Sequence, residues 1–190
     1  RVQEDKKAAS TPSETADRTV MKRPRWRPAY VALGSNLGDP VTQVEAALDA
    51  LRRIPASVMV AWSASYRSAP LCGANQPDYI NAVAGLLTRL SSLELLQSLQ
   101  RIEIAQGRER SGERWASRTL DLDLLAVAGE TMDSDRLSLP HPGIAERNFV
   151  LLPWREIAPH FKVPGLATVS ELADRVPDAP RIERLATFAA

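Results

Sequence analysis

The sequence predicts an α+β fold: a ferredoxin-like βαββαβ core, built as one antiparallel sheet with its helices on one face, followed by additional C-terminal elements. Three observations carry that expectation. From Ala29 onward, apolar residues recur with period two or period 3.6 in the order strand, helix, strand, strand, helix, strand. Both helical stretches open on residues suited to capping a helix N-terminus. The last strand of the core alternates leucine with aspartate, as a half-buried strand does.

The elements follow in chain order. "AYVALG" is a short apolar strand that ends in the turn-forming loop "GSNLGDP". Asp39 is placed to cap a helix with Pro40 at its first position, and Val41, Val44, Leu48 and Leu51 mark its apolar stripe. "SVMVAWSASY" reads as one strand, with Val58, Val60, Trp62, Ala64 and Tyr66 on a common face. The loop "RSAPLCGANQPD" leads to a second strand from Tyr79 to about Thr88. Ser91 and Glu94 form a capping box for a helix that presents Leu95, Leu99 and Ile102 and runs to about Gln106. An arginine-rich loop, "GRERSGERWASR", precedes the strand "TLDLDLL", and a further helix is expected from Ile144 to Leu152.

Composition narrows the classes. With 44% hydrophobic and 25% charged residues, this is an ordinary globular chain. The division expected is a disordered polar tail over 1–28 and a single domain over 29–190. The tail has no uninterrupted apolar stretch of the kind a secretory signal needs, and its basic cluster reads as a solvated arm. A net charge of +1 argues against bulk electrostatic binding of nucleic acid or membrane. The lone Cys72 rules out an intrachain disulfide and fits a reducing compartment, so a cytoplasmic protein is expected.

Asp121 and Asp123 share one strand face, opposite Leu120, Leu122 and Leu124. Two such charges about 5 Å apart repel by roughly 3 kcal/mol at an effective dielectric near 20. Either that face is plain solvated surface or a cation sits on it. Between Arg101 and Arg118 stand five arginines and three glutamates. Guanidinium groups grip phosphate oxygens, and beside a two-carboxylate magnesium site they would clamp a triphosphate. The alternative is a set of salt bridges among Glu103, Glu109, Glu113 and those arginines. Tyr79 and Asn81 share a face of the neighbouring strand, an arrangement suited either to a flat hydrogen-bonding heterocycle or to ordinary sheet packing. "GRERSGER" lacks the lysine and hydroxyl of a phosphate loop, and "GSNLGD" lacks the glycine spacing of a dinucleotide fingerprint. No nucleophilic triad can be assembled. His141 lies in a stiff loop without an obvious partner, and neither His160 nor Cys72 carries a functional signal.

With those residues in view, the chain resembles the 6-hydroxymethyl-7,8-dihydropterin pyrophosphokinases of folate biosynthesis. "YVALGSNLGDP", "QPDYINAV", "QRIEIAQGRER", "ERWASRTLDLDLL", "LPHPGIAERNFVL" and "EIAP" occur in that family's order, from Ala29 to about Pro159. The resemblance implies a magnesium-dependent diphosphotransferase that moves the β,γ-pyrophosphoryl group of ATP to the pterin hydroxymethyl group and releases AMP. It implies that Asp121 and Asp123 hold two magnesium ions, and that Arg108 and Arg118 stabilise the transferred group. Gln100, Glu103, Arg110, Trp115, Arg136, His141 and Arg147 match ATP-contacting positions. Tyr79 and Phe149 would sandwich the pterin, Asn81 would read its edge, Trp115 would help close over it, and the backbone near Ser68 and Leu71 would complete the pocket. The implied partners are ATP and hydroxymethyl-dihydropterin, with no nucleic acid or membrane, and the chain is expected to be a monomer. Ala116 and Ser117 stand where the family often has Gly-Pro, and Ser68, Ala69 and Cys72 also depart from its commoner residues, so altered loop shape is expected there.

A nucleotidyl transferase or cyclase could also use paired aspartates on such a sheet, and its products would differ. An RNA-binding module of the same topology would need exposed aromatics on the central strands where this chain has aspartates.

Overall fold

The computed structural model describes residues 25–70, 76–107 and 119–188. Eight strands and four helices are present among them: β1 (Arg27–Ser35), α1 (Pro40–Leu51), β2 (Ser57–Trp62), β3 (Ala64–Ser68), β4 (Tyr79–Thr88), α2 (Ser92–Ala105), β5 (Asp121–Val127), β6 (Met132–Asp133), β7 (Ser138–Leu139), α3 (Asn148–Ile157), α4 (Val169–Ala173) and β8 (Ile182–Thr187). The main sheet runs β5-β1-β4-β3-β8 with β2 also on β4, and every pairing is antiparallel. That order is the one expected of a βαββαβ core.

The capping expectations hold at the atomic level. The Asp39 carboxylate accepts from the Thr42 N–H ahead of Pro40. Ser91 and Glu94 exchange both bonds of a capping box at the start of α2. Along α1 it is Val44, Ala47, Leu48 and Leu51 that are buried, while Val41 in the first turn stays exposed.

The sheet separates two apolar cores. On one face, Ala29, Val31 and Leu33 of β1, Ile80, Ala82, Ala84 and Leu86 of β4, and Leu122 and Leu124 of β5 meet α1 and α2. On the other, Val83, Leu125 and Ala126 meet α3, α4 and the segment around Val163, with the Tyr30 ring tilted against Trp154 and Phe161 at centroid distances of 5.2 and 4.6 Å. The C-terminal elements therefore cover the face that α1 and α2 leave open.

Three boundaries differ from expectation. β1 starts at Arg27, where Arg27 and Pro28 already pair with Thr88 and Leu87. Of the expected tail, residues 1–24 lie outside the described residues. The single strand expected over 57–66 is two strands broken at Ser63, whose N–H donates to the Val83 carbonyl and whose Oγ accepts from the Val83 N–H. That break lets β2 follow the far half of β4 and β3 the near half. α3 lies over β3 and β4, so Val58 and Val60 of β2 are left 51% and 54% exposed instead of joining a core. Finally, the helix expected from Ile144 is a 3-10 turn, Ile144–Glu146, followed by α3 from Asn148. Extended backbone at Arg147 separates the two.

Candidate active site

Strand register assembles the site on the α3 face. Asp121 pairs with Gly34 and Asp123 with Ala32, while Gly34 in turn pairs with Asn81, and Asn81 with Tyr66. Directly opposed residues share a face, so Asp121, Gly34 and Asn81 form one row across β5, β1 and β4, with Asp123 one step along. Gly34 puts no side chain between the carboxylate and the amide. The intervening residues Leu122 and Leu124 point into the opposite core and fasten β5 in place.

The acidic end is flanked by the segment that follows β7. His141 Nε2 lies 3.6 Å and Arg147 Nη1 3.7 Å from Asp123 Oδ2. The backbone N–H of His141 donates to the Leu125 carbonyl, which docks this proline-bounded loop onto β5. At these separations and with Asp123 35% exposed, each of the two contacts is worth about 1 kcal/mol or less. A bound cation or a phosphate can displace such contacts. On the other side, the buried Glu103 of α2 accepts from the Leu122 N–H at 2.8 Å, holding the strand between the two aspartates.

The other end suits a flat polar ring. Asn81 is 6% exposed, and its Nδ2 donates to the Tyr66 carbonyl at 3.2 Å and to Ser68 Oγ at 2.9 Å. Both amide hydrogens are thereby engaged, and the Oδ1 faces Gly34, where an added Cβ would stand 3.7 Å from it. Tyr79 lies two residues before Asn81 on the same face, and its hydroxyl donates to Gln76 Oε1 at 3.4 Å. Phe149 is the second residue of α3 and packs at the rim of the second core.

Behind this wall, Glu156 of α3 ties three elements together. It accepts from the Tyr66 hydroxyl at 2.9 Å, from the Ala64 N–H at 3.2 Å and from Arg184 of β8 at 3.1 Å. Burial, and then the bond to Glu156, push the Tyr66 phenol up to about 12, so it remains a donor. Burial alone would raise the Glu156 carboxyl, but the hydrogen bonds from Arg184, Tyr66 and the Ala64 N–H outweigh it and hold the group below its usual range.

Of the residues singled out in the sequence, the structure brings Asp121, Asp123, His141 and Arg147 together at one end and Ser68, Tyr79 and Asn81 at the other. Gln100 is half-buried on α2, and Arg136 is exposed in the turn between β6 and β7. Leu71, Arg108, Arg110, Trp115 and Arg118 lie outside the described residues. Sequence reasoning passed over Gly34 and the Ser68 hydroxyl, because neither role is readable without the register of β1 and β3 on β4.

The donor set decides what cation fits. Among the described residues there is no group of three or more His, Cys, Asp or Glu side chains arranged to hold a metal. Two carboxylates on one face suit a hard, oxygen-seeking ion that completes its shell with water and phosphate, as magnesium does. They do not suit a zinc-type site, which needs a fuller set of nitrogen or sulfur ligands.

The family model for 7,8-dihydro-6-hydroxymethylpterin-pyrophosphokinase (HPPK) matches residues 30–159. A 2-amino-4-hydroxy-6-hydroxymethyldihydropteridine pyrophosphokinase of Haemophilus influenzae is 45% identical over 155 residues, 82% of this chain and 96% of the relative. The protein of that name from Pseudomonas aeruginosa is 47% identical over 156 residues, 82% of this chain and 95% of the relative. Among solved structures, wild-type Plasmodium falciparum HPPK-DHPS with STZ-DHP superposes with a TM-score of 0.61 at 13% identity, covering 79% of this chain. This chain spans 43% of that one, and at such low identity the likeness speaks to fold alone.

Proposed function

We infer how the site works from one premise: the chain belongs to the 7,8-dihydro-6-hydroxymethylpterin-pyrophosphokinase family. It transfers pyrophosphate from ATP, its co-substrate, to hydroxymethyldihydropterin in folate biosynthesis. The bond formed joins the substrate's hydroxymethyl oxygen to the β-phosphorus, and the bond broken releases AMP. The nucleophile is the substrate's own alcohol, so the protein has to supply position and charge rather than a reacting group of its own.

The row Asp121–Gly34–Asn81 is the observation that carries the assignment of roles. Two strand spacings, about 10 Å, separate the carboxylate from the amide, enough to seat a bicyclic ring beside a phosphate chain. In this reading Asp121 and Asp123 hold two magnesium ions, which when bound would neutralise the triphosphate and orient it for in-line displacement. His141 and Arg147 lie where they would exchange Asp123 for phosphate oxygens once nucleotide arrives. Glu103 keeps the strand between the aspartates in register, and Gln100, Arg110 and Arg136 contribute to the nucleotide side. Arg108 and Arg118 would stabilise the transferred group, and Trp115 would help exclude water. At the other end Tyr79 and Phe149 bracket the pterin, Ser68 and Leu71 border it, and Asn81 presents Oδ1 to a ring N–H. The setting assigned is a cytoplasmic monomer acting on small molecules, and the single cysteine supports the reducing compartment.

Titration with a non-hydrolysable ATP analogue, with and without magnesium, tests the metal assignment. Asp121→Ala and Asp123→Ala should each lose magnesium-dependent binding and about a hundredfold or more of turnover while keeping the wild-type circular dichroism spectrum. Near-normal magnesium-dependent binding in both variants would refute it.

A further inference from the structure

We propose that Asn148 is a positioning residue that works through the C-terminal segment, coupling the two walls of the heterocycle pocket to each other. The inference rests on the pterin-pocket reading above and extends it beyond residue 159, where the family match ends.

The connection can be followed atom by atom. Asn148 is the residue before Phe149, sits in the first turn of α3 and is 1% exposed. Its Nδ2 donates to the Pro180 carbonyl at 2.8 Å. One residue on, the Arg181 carbonyl accepts from the Ala69 N–H at 3.4 Å, and Ile182 then pairs with Ser68 as β8 begins. Ser68 Oγ in turn accepts from Asn81. The aromatic wall at Phe149 and the polar wall at Ser68 and Asn81 are thus joined by a path through Pro180 and Arg181. Glu156 ties α3 to β3 and β8 about two turns further along the helix, so the Asn148 path is the one that fastens the pocket end of α3, beside Phe149.

Asn148 is also a poor choice for stability alone. Its Oδ1 is buried and has no partner among the described residues. A buried amide with half its capacity unused carries a desolvation cost that an apolar residue of the same shape avoids. What the amide provides and an isosteric leucine does not is the bond to Pro180.

Steady-state kinetics of the full chain test this, with Asn148→Leu, Phe149→Ala and a stability control, Leu172→Ala, which trims α4 within the second core. Asn148→Leu should raise KM for the dihydropterin about tenfold, the scale of one buried hydrogen bond, with kcat and ATP-analogue affinity within about twofold. Leu172→Ala should move none of these even where its melting temperature falls further. If Phe149→Ala raises that KM but Asn148→Leu does not, the coupling is wrong and the pocket reading stands. If Phe149→Ala leaves the KM unchanged, the pocket reading fails and takes the coupling with it. If Asn148→Leu and Leu172→Ala shift KM in proportion to lost stability, Asn148 is merely structural. Should Asn148→Leu fail to fold, Asn148→Ser, which is smaller and also too short to reach Pro180, is held to the same expectations.

Discussion

A methyl group at position 34 would stand 3.7 Å from Asn81 Oδ1, over the gap between the amide and Asp121. That distance is ordinary contact, so Gly34→Ala should fold with little change in melting temperature. It should nevertheless weaken dihydropterin binding several-fold while ATP-analogue binding holds, because the methyl covers the Asn81 acceptor proposed for the ring N–H; isothermal titration with each ligand checks the split. The aspartates were legible in the sequence from alternation alone, since a strand cannot put Leu122 and Leu124 in a core without turning Asp121 and Asp123 the other way. Gly34 was not, because its importance depends on which residues lie across from it. His141 looked incidental in sequence for the same reason: its partner, Asp123, is eighteen residues away and meets it through the docking of one loop onto β5.

At the level of elements, Glu156 is where α3, β3 and β8 are fastened, and its depressed carboxyl makes that fastening acid-sensitive. A carboxyl whose folded-state pKa is lowered adds stability above its unfolded pKa, near 4.5, and loses it as pH falls through the folded value. Glu156→Gln should therefore be less stable than the parent at neutral pH, and the gap should narrow as the pH falls below 4.5 in urea titrations. A gap independent of pH would mean the ionised carboxylate is not what holds the elements together. The buried Glu103 plays a comparable part for β5. Glu103→Ala would leave the Leu122 N–H without its acceptor, at a cost of about 1–3 kcal/mol, or roughly 3–10 °C in melting temperature by calorimetry. Capping boxes and stripes made α1, α2, β4 and β5 readable. The break at Ser63 and the extended Arg147 were hidden, because each is dictated by pairing or packing with distant chain: Val83 for one, α3 settling on the sheet for the other.

Across the whole molecule, a sheet with α1 and α2 on one face and α3 and α4 on the other leaves the polar row at the end of β5, β1 and β4 at the edge of the second core. The order of strands followed from the succession of elements, but the second layer did not: α4 is only five residues long, and the contacts of Tyr30, Trp154 and Phe161 join three separate segments of the chain. Among the described residues no helix is long and apolar enough to cross a membrane.

The central claim is that this face seats ATP and a dihydropterin alcohol for pyrophosphoryl transfer, and product analysis tests it most directly. Incubated with both substrates and magnesium, the full chain should yield AMP and the dihydropterin diphosphate in equal amounts, resolved by phosphorus NMR, and Asp121→Ala or Asp123→Ala should slow the appearance of both by about a hundredfold or more. Free pyrophosphate with an AMP-bearing pterin, or undiminished AMP from the aspartate variants, would contradict the account.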